Sequence, residues 1–350
     1  MALSSSPFSS ARGQVPRVDN ALTVREMLKS MGITSALEGD ITEFAVNAPG
    51  EHWTESSAGW QRFENPTLTL QALNGLANAA AIFCKKNLDR DNPIASLTLP
   101  DGERCQIVLP PATENGRVVI TIRKPSTSRF TLDDYEKSGR LNPRLTAITD
   151  ALLSWEQEML DLSQAGQFKR FFELTIKHKL NIVTVGGTGS GKTTFSKALI
   201  DLYSVHRRMF TIEDARELTM PYHPNSVPLF FSPTISAKEI LASCMRMKPD
   251  HIFLAEVRGD EAWDYLMALK SGHTGSVTSI HANDCRGALY KIGSYIKQSA
   301  VGQTLDFSYI MQEVMTTIDV VAFFDKTYIS ELYYDPVRKL RLLRGEVSAL

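Results

Sequence analysis

Between residues 181 and 203 the chain reads NIVTV, then GGTGSGKT, then TFSKALIDLY. An apolar run passes through a glycine-rich turn into a helical pattern, and Gly186, Gly191, Lys192 and Thr193 meet the spacing G-x-x-x-x-G-K-[ST] of a phosphate-binding loop. The residue types suit the demands of a polyphosphate. Backbone N–H groups can wrap its charges only where bulky side chains are absent, and Gly186, Gly187, Gly189 and Gly191 clear the turn. Lys192 places a point charge on the outer phosphates, and the Thr193 hydroxyl is a suitable oxygen ligand for Mg²⁺. Thr188, Ser190 and Thr194 complete the segment expected to bind nucleotide. The N-terminus of the next helix adds about half a positive charge. Phe195, Ala198, Leu199 and Leu202 recur at i, i+3, i+4 and i+7, which predicts the face on which that helix packs.

Three further strand-like runs each end in a polar group. Residues 209–212 precede Glu213 and Asp214, residues 252–255 precede Glu256, and residues 276–280 precede His281. A parallel sheet gathers its functional groups at the C-terminal ends of its strands, where the phosphate loop also sits. Lys192, Glu213, Glu256 and His281 are therefore expected to line one crevice. Phosphoryl transfer to water needs a positioned water, Mg²⁺, and positive charge where negative charge accumulates. Glu256 is the candidate for orienting and polarising the water, Glu213 and Asp214 for holding Mg²⁺ through its water shell, and His281 for a hydrogen bond to the terminal phosphate. Arg104, Arg123, Arg216, Arg246 and Arg258 are all available to meet the developing charge. An arginine donated by another domain or subunit is worth ~10³ to 10⁵ in rate, and spacing alone does not choose among the five.

The elements that must carry these groups fall into two kinds. Val24, Met27, Leu28 and Met31 keep helical spacing, closed by Gly32. Strand-like pieces come next at 43–47, 51–55 and 60–63, then a helix from about 69 to 85, then strands at 95–99, 104–109 and 118–123. This predicts an α+β N-terminal domain over 20–126, smaller than the C-terminal one. Residues 127–146 are polar and irregular and read as linker. Ile148, Leu152, Trp155, Met159 and Leu162 then mark a helical stripe, too short to argue a coiled coil, so packing within the chain is expected. A second helix, 167–179, uses Phe168, Phe171, Phe172 and Ile176. The division expected is a leader over 1–19, the N-terminal domain, a linker with a helix over 127–165, and an α/β domain of the P-loop NTPase class, with a RecA-like parallel sheet, over 166–350.

Composition narrows the partners. With 38 basic and 39 acidic side chains the net charge is −1, so no overall field draws the chain to nucleic acid or to an acidic bilayer. The basic group Arg338, Lys339, Arg341 and Arg344 is local and reads as solvated or touching lipid headgroups. The four cysteines lie far apart without C-x-x-C spacing, which argues against a zinc site and suits a reducing compartment. No run of about 18 apolar residues offers a membrane span. The Ser-rich opening, MALSSSPFSSARGQVPR, lacks the apolar core of a signal peptide and reads as a disordered leader.

In combination, the GGTGSGKTT loop, TIEDARELTM (211–220) and RMKPDHIFLAEVRGDEAWDYLMALKSGHTGSVTSIHAND (246–284) resemble the Walker A, Asp, Walker B and His boxes of the secretion, or traffic, ATPases, and most closely the branch serving type IV secretion and conjugation. ITEFAVNAPGEHW (41–53), DGERCQIVLPP (101–111) and VITIRKPS (119–126) resemble that branch's N-terminal domain, so the likeness covers most of the chain. It implies a homohexameric ring with ATP and Mg²⁺ bound at the interface of the two domains, turnover that moves the domains as rigid bodies, and docking at the cytoplasmic face of the inner membrane beneath a secretion channel. It further implies that Arg104 and Arg123 approach the nucleotide. Two departures stand out: Ala255 replaces a common Gly, and the strand before Glu256 has no terminal Asp, which leaves Mg²⁺ to Thr193 and water-mediated carboxylates. A type II secretion or pilus motor is the nearest alternative, although the paired C-x-x-C insertion of larger type II members is absent. A DNA-binding helicase-like motor is a more distant one. A scaffold that binds ATP without turnover would not need Glu213 and Glu256.

Overall fold

The computed structural model describes residues 20–125, 129–141 and 151–350. The leader, Ile148 of the helical stripe and parts of the linker lie outside them. The first half opens with α1 (Asn20–Ser30) and α2 (Ile33–Glu38), then β1 (Glu43–Val46), β2 (Glu51–Ser56), β3 (Gly59–Glu64), α3 (Leu70–Phe83), β4 (Ile94–Thr98), β5 (Arg104–Val108) and β6 (Val119–Arg123). The strands form one antiparallel sheet in the order β3-β2-β1-β6-β5-β4. Helices α1 and α3 pack on one another and close a core built from Val24, Leu28, Phe44, Leu73, Leu76, Ile107, Ile120 and Ile122. Thr69 caps α3 by accepting the Ala72 amide proton, which fixes where the helix starts.

Within the stretch read as irregular, α4 (Leu132–Lys137) is helical. Its cause is a reciprocal cap: Thr131 Oγ1 takes the Asp134 amide while the Asp134 carboxylate takes the Thr131 amide. Next come α5 (Ser154–Gln164) and α6 (Phe168–Lys177). Met159 is fully buried, Trp155 stacks on His178 with ring centroids 4.2 Å apart, and α5 packs on α6, so its stripe serves this chain's own core. Phe168, expected on the packed face of α6, is exposed instead.

The rest of the chain runs β7 (Ile182–Gly186), α7 (Lys192–Ile200), β8 (Met209–Glu213), β9 (Ser226–Phe230), α8 (Ala237–Cys244), β10 (His251–Leu254), α9 (Glu261–Lys270), β11 (Val277–Ile280), α10 (Cys285–Gln298), α11 (Phe307–Thr317), β12 (Val320–Asp325), β13 (Tyr328–Tyr334) and α12 (Pro336–Leu343). Strands β10-β8-β9 are parallel; β11-β7-β12 are parallel with β13 added antiparallel at the edge. The two sheets abut along β10 and β11, where the Val257 amide donates to the Ser279 carbonyl. Helix α7 comes directly after the β7 loop as expected but turns a different face inward. Lys192, Ser196, Leu199 and Ile200 are buried, whereas Ala198 and Leu202 are exposed and Phe195 is half-buried against Phe172 and Phe324. Two polar residues on the inner face hid that stripe from hydrophobic periodicity.

The halves are joined by shared core. Val108, Ala112 and Val119 belong to the same apolar cluster as Val183, Phe210, Leu229 and Leu254. The Phe230 amide donates to the Ala112 carbonyl, and Thr113 Oγ1 to that of Pro228. At the centre Arg208 is fully buried, its guanidinium between the rings of Trp60 and Phe210 and donating to Asn47, Thr121, Asn225 and the Met247 carbonyl. Burial holds it down at about 9, below the arginine range, against the pull of Glu43 and Asp250.

Candidate active site

The phosphate loop leaves β7 at Gly186, whose φ is +149° and whose added Cβ would lie 2.7 Å from both the Phe324 carbonyl oxygen and Ser190 Oγ. Only glycine fits there. At Gly191, φ is +85° and the chain enters α7, so the first turn of the helix points its amides into the loop. Lys192 folds back over the loop: its ammonium donates to the carbonyls of Gly186 (2.9 Å) and Gly187 (2.7 Å). Burial holds that ammonium below the ordinary lysine range, against the Glu256 carboxylate, which favours its charge. A cation held by weak neutral acceptors, beside helix amides, matches an incoming polyphosphate.

The acidic groups surround this loop. Glu213, at the end of β8, is fully buried and its Oε2 accepts the amides of Glu217 and Leu218, both at 2.7 Å. It thereby shapes the turn that brings Glu217 Oε2 to 3.3 Å from Thr193 Oγ1. Asp214 points elsewhere, to Arg258 Nη1 at 2.5 Å. Past the end of β10, Glu256 shares that arginine, with Nη2 2.8 Å from Oε2, while its Oε1 is 3.5 Å from His281 Nε2. Hydrogen bonds from Arg258 to Glu256 and then Asp214 raise the arginine's pKa above its usual value. His281, Gly186, Gly187 and Lys291 line one cleft, of about 420 Å³, and Lys291 donates to the His281 carbonyl at 2.6 Å. Glu217 and Lys291 are not singled out by sequence reasoning. Glu217 does stand within the acidic box, a signal that could have found it; Lys291 lies in the middle of α10, where nothing local marks it.

The residues present fit Mg²⁺ in one particular way. Among the described residues no group of three or more His, Cys, Asp or Glu side chains is arranged around a metal. Hard oxygens are nonetheless at hand, namely Thr193 Oγ1 with Glu217, and Glu213 Oε1, which is buried with no hydrogen-bond partner. Mg²⁺ keeps several waters and commonly takes few protein ligands beside substrate phosphates.

Arg104 and Arg123 are not brought to this cleft. They face each other across β5 and β6 and line, with Met245 and Arg246, a separate cavity of about 510 Å³ that shares no residue with the phosphate-loop cleft. Arg123 Nε donates to the buried Glu43 carboxylate at 2.6 Å, and Gln106 of β5 donates to Ser243 of α8 at 2.9 Å. Arg216 pairs with Glu114. Of the five arginines only Arg258 joins the acidic cluster around the loop.

The family model for type II/IV secretion system proteins matches residues 62–321, more than half of the chain. Type IV secretion system protein VirB11 of Brucella suis is 39% identical over 317 residues, covering 86% of this chain and 88% of the relative. VirB11 of Bartonella quintana is 34% identical over 345 residues (92% and 97%), and PtlH of Bordetella pertussis, also a type IV secretion system protein, is 37% identical over 289 residues (81% and 84%). The crystal structure of the Brucella suis VirB11 ATPase in complex with sulphate superposes with a TM-score of 0.89 at 38% identity, covering 93% of this chain and 98% of that one. The chain belongs to the type II/IV secretion system protein family and, within it, to the traffic ATPases of type IV secretion systems.

Proposed function

We propose that the protein hydrolyses ATP to ADP and phosphate in an Mg²⁺-dependent reaction, with residues 186–194 as the nucleotide cradle. The loop amides and Lys192 bind the polyphosphate and fix the terminal phosphorus. Thr193 would hold Mg²⁺, with Glu213 reaching it through water, and the ion would supply neutralising charge to the substrate phosphates. Glu256 takes a proton from the attacking water as the new P–O bond forms and the bond to the β-phosphate oxygen breaks. His281 reports the terminal phosphate to the segment carrying Lys291, and Asp214 holds Arg258 in place beside Glu256. The observation that carries this reading is the Glu256 carboxylate set between Arg258 and His281 on the edge of the Lys192 loop.

Residues 20–126 and 166–350 act as two working units joined by 127–165. Arg104 and Arg123 serve the nucleotide of a neighbouring copy in a homohexameric ring, which works in the cytoplasm against the inner membrane with other components of a type IV secretion or conjugation channel. Among the described residues no helix is long and apolar enough to cross a membrane. The net charge of −1 argues against direct nucleic-acid binding.

Glu256→Gln tests the chemistry. The variant should retain ATP affinity, read with a fluorescent analogue, while phosphate release falls by roughly 10²- to 10⁴-fold. Loss of nucleotide binding, or unchanged turnover, would remove Glu256 from this role.

A further inference from the structure

The seam between the two C-terminal sheets is not held by a regular strand ladder. Carbonyls along β10 and just beyond it receive protons from hydroxyls of β11 and its approach: Ser276 Oγ to Ile252 (2.5 Å), Thr278 Oγ1 to Leu254 (2.6 Å) and Ser279 Oγ to Ala255 (2.7 Å). The last contact differs from the others in where it falls. Ser279 also accepts, on its own carbonyl, the amide of Val257 at 2.9 Å. One residue thus grips the backbone on both sides of Glu256, which has no backbone partner of its own across the seam among the described residues. Two residues further on comes His281, whose Nε2 stands 3.5 Å from Glu256 Oε1.

We propose that Ser279 is a positioning residue for Glu256: its hydroxyl and carbonyl fix the peptide units flanking the carboxylate, and so hold the carboxylate at a set distance from His281 and from the phosphate loop. The physical need is specific to this position. Glu256 lies one residue beyond the last bond to β8, that of the Ala255 amide to the Ile212 carbonyl at 2.9 Å. Its side chain is drawn towards Arg258, itself half exposed, and without a backbone clamp it would follow that arginine. A hydroxyl that donates to the preceding carbonyl restrains the peptide's rotation without adding bulk near the reacting atoms. Displacements of about 1 Å at a reacting group can cost ~10² in rate, so a loosened peptide would show in catalysis before it showed in stability.

The inference rests on Glu256 polarising the attacking water, and the experiment separates the two. Ser279→Ala removes the donor and keeps the carbonyl; Ser279→Thr keeps both in a residue suited to a strand. Steady-state ATPase assays on the full-length protein, with analogue binding and thermal melting on the same preparations, should show kcat lowered roughly 10- to 100-fold in Ser279→Ala. Its analogue affinity and melting temperature should stay close to wild type, and Ser279→Thr should recover most of the lost turnover. Unchanged kcat in Ser279→Ala would overturn the proposal. So would a loss that Ser279→Thr fails to recover, or one that tracks melting temperature through both variants, because the residue would then be structural. If Glu256→Gln itself turns over normally, the reading of Glu256 fails, whatever Ser279 does.

Discussion

Arg258 faces two carboxylates at once, Asp214 and Glu256, from a half-exposed position. A surface pair of this kind contributes ~0 to 1 kcal/mol to stability, so its value lies in where the charges sit. The Glu256 carboxylate repels an incoming polyphosphate, and Arg258 offsets that repulsion before substrate arrives. Arg258→Ala should therefore leave folding nearly unchanged and weaken ATP binding, raising KM several-fold, because two uncompensated carboxylates then face the incoming charge. Titration of the variant with a fluorescent nucleotide at two salt concentrations checks this. The deficit should shrink as salt rises, and an affinity equal to wild type at low salt would show that Arg258 has no such role.

At the level of elements, β10 shows what burial does to a titratable group. His251 opens the strand, fully buried, with Nδ1 2.9 Å from the Gly275 carbonyl and its ring 4.5 Å from Tyr203. Burial lowers its pKa to about 4, a larger effect than the nearby Asp250, which raises it, and Arg207 and Lys179, which lower it. Above pH ~6.5 the ring is neutral in both folded and unfolded chains and stability is unaffected. Between ~6.5 and 4 the unfolded chain takes up a proton that the folded one refuses, so stability falls as pH falls, by about 3 kcal/mol in all. Burial pushes His52, His178 and His273 in the same direction. Urea denaturation at pH 7.5 and 4.5 should show the loss in the wild type, reduced by roughly that amount in His251→Asn; equal losses would refute the assignment.

Elements also mark how far the sequence was legible. The six strands of the first half and the strands before Glu213, Glu256 and His281 are readable from alternating or continuous apolar runs ended by turn residues. Helix α2 is not, since Gly32, which closes α1, has φ +73° and at once starts the next helix. Strand β9 carries Pro228, which weakens any strand reading; it is tolerated because β9 is the edge of its sheet. In the site, the loop and the strand-end carboxylates were readable because their chemistry dictates residue type. The hydroxyl seam, and the separation of Arg104 and Arg123 from the loop, depend on side-chain direction and on how the halves dock, neither of which has a local pattern.

That docking decides what the whole molecule can do. The arginine cavity is built from both halves, Arg104 and Arg123 on one side and Met245 and Arg246 on the other, and Gln106 ties them through Ser243. Swinging Arg123 to its own phosphate loop would break the apolar core shared through Val108, Ala112 and Val119 and strip Arg208 of its partners from the first half, Asn47, Thr121 and the Trp60 ring. Hydrogen bonds to a charged group contribute about 1.5 to 3 kcal/mol each, and Arg208 would lose those to Asn47 and Thr121. Donation to another copy avoids that cost, which makes the arrangement testable by complementation. Lys192→Ala removes the loop cation; Arg123→Gln removes the arginine while leaving Glu43 a hydrogen-bond donor. Each variant alone should be nearly inactive. If loop and arginine come from different copies, co-expressed in equal amounts they should regain up to about a quarter of wild-type turnover, since that share of random interfaces joins an intact loop to an intact arginine. Were both supplied by one chain, every site in the mixture would lack one part, and co-expression would restore nothing.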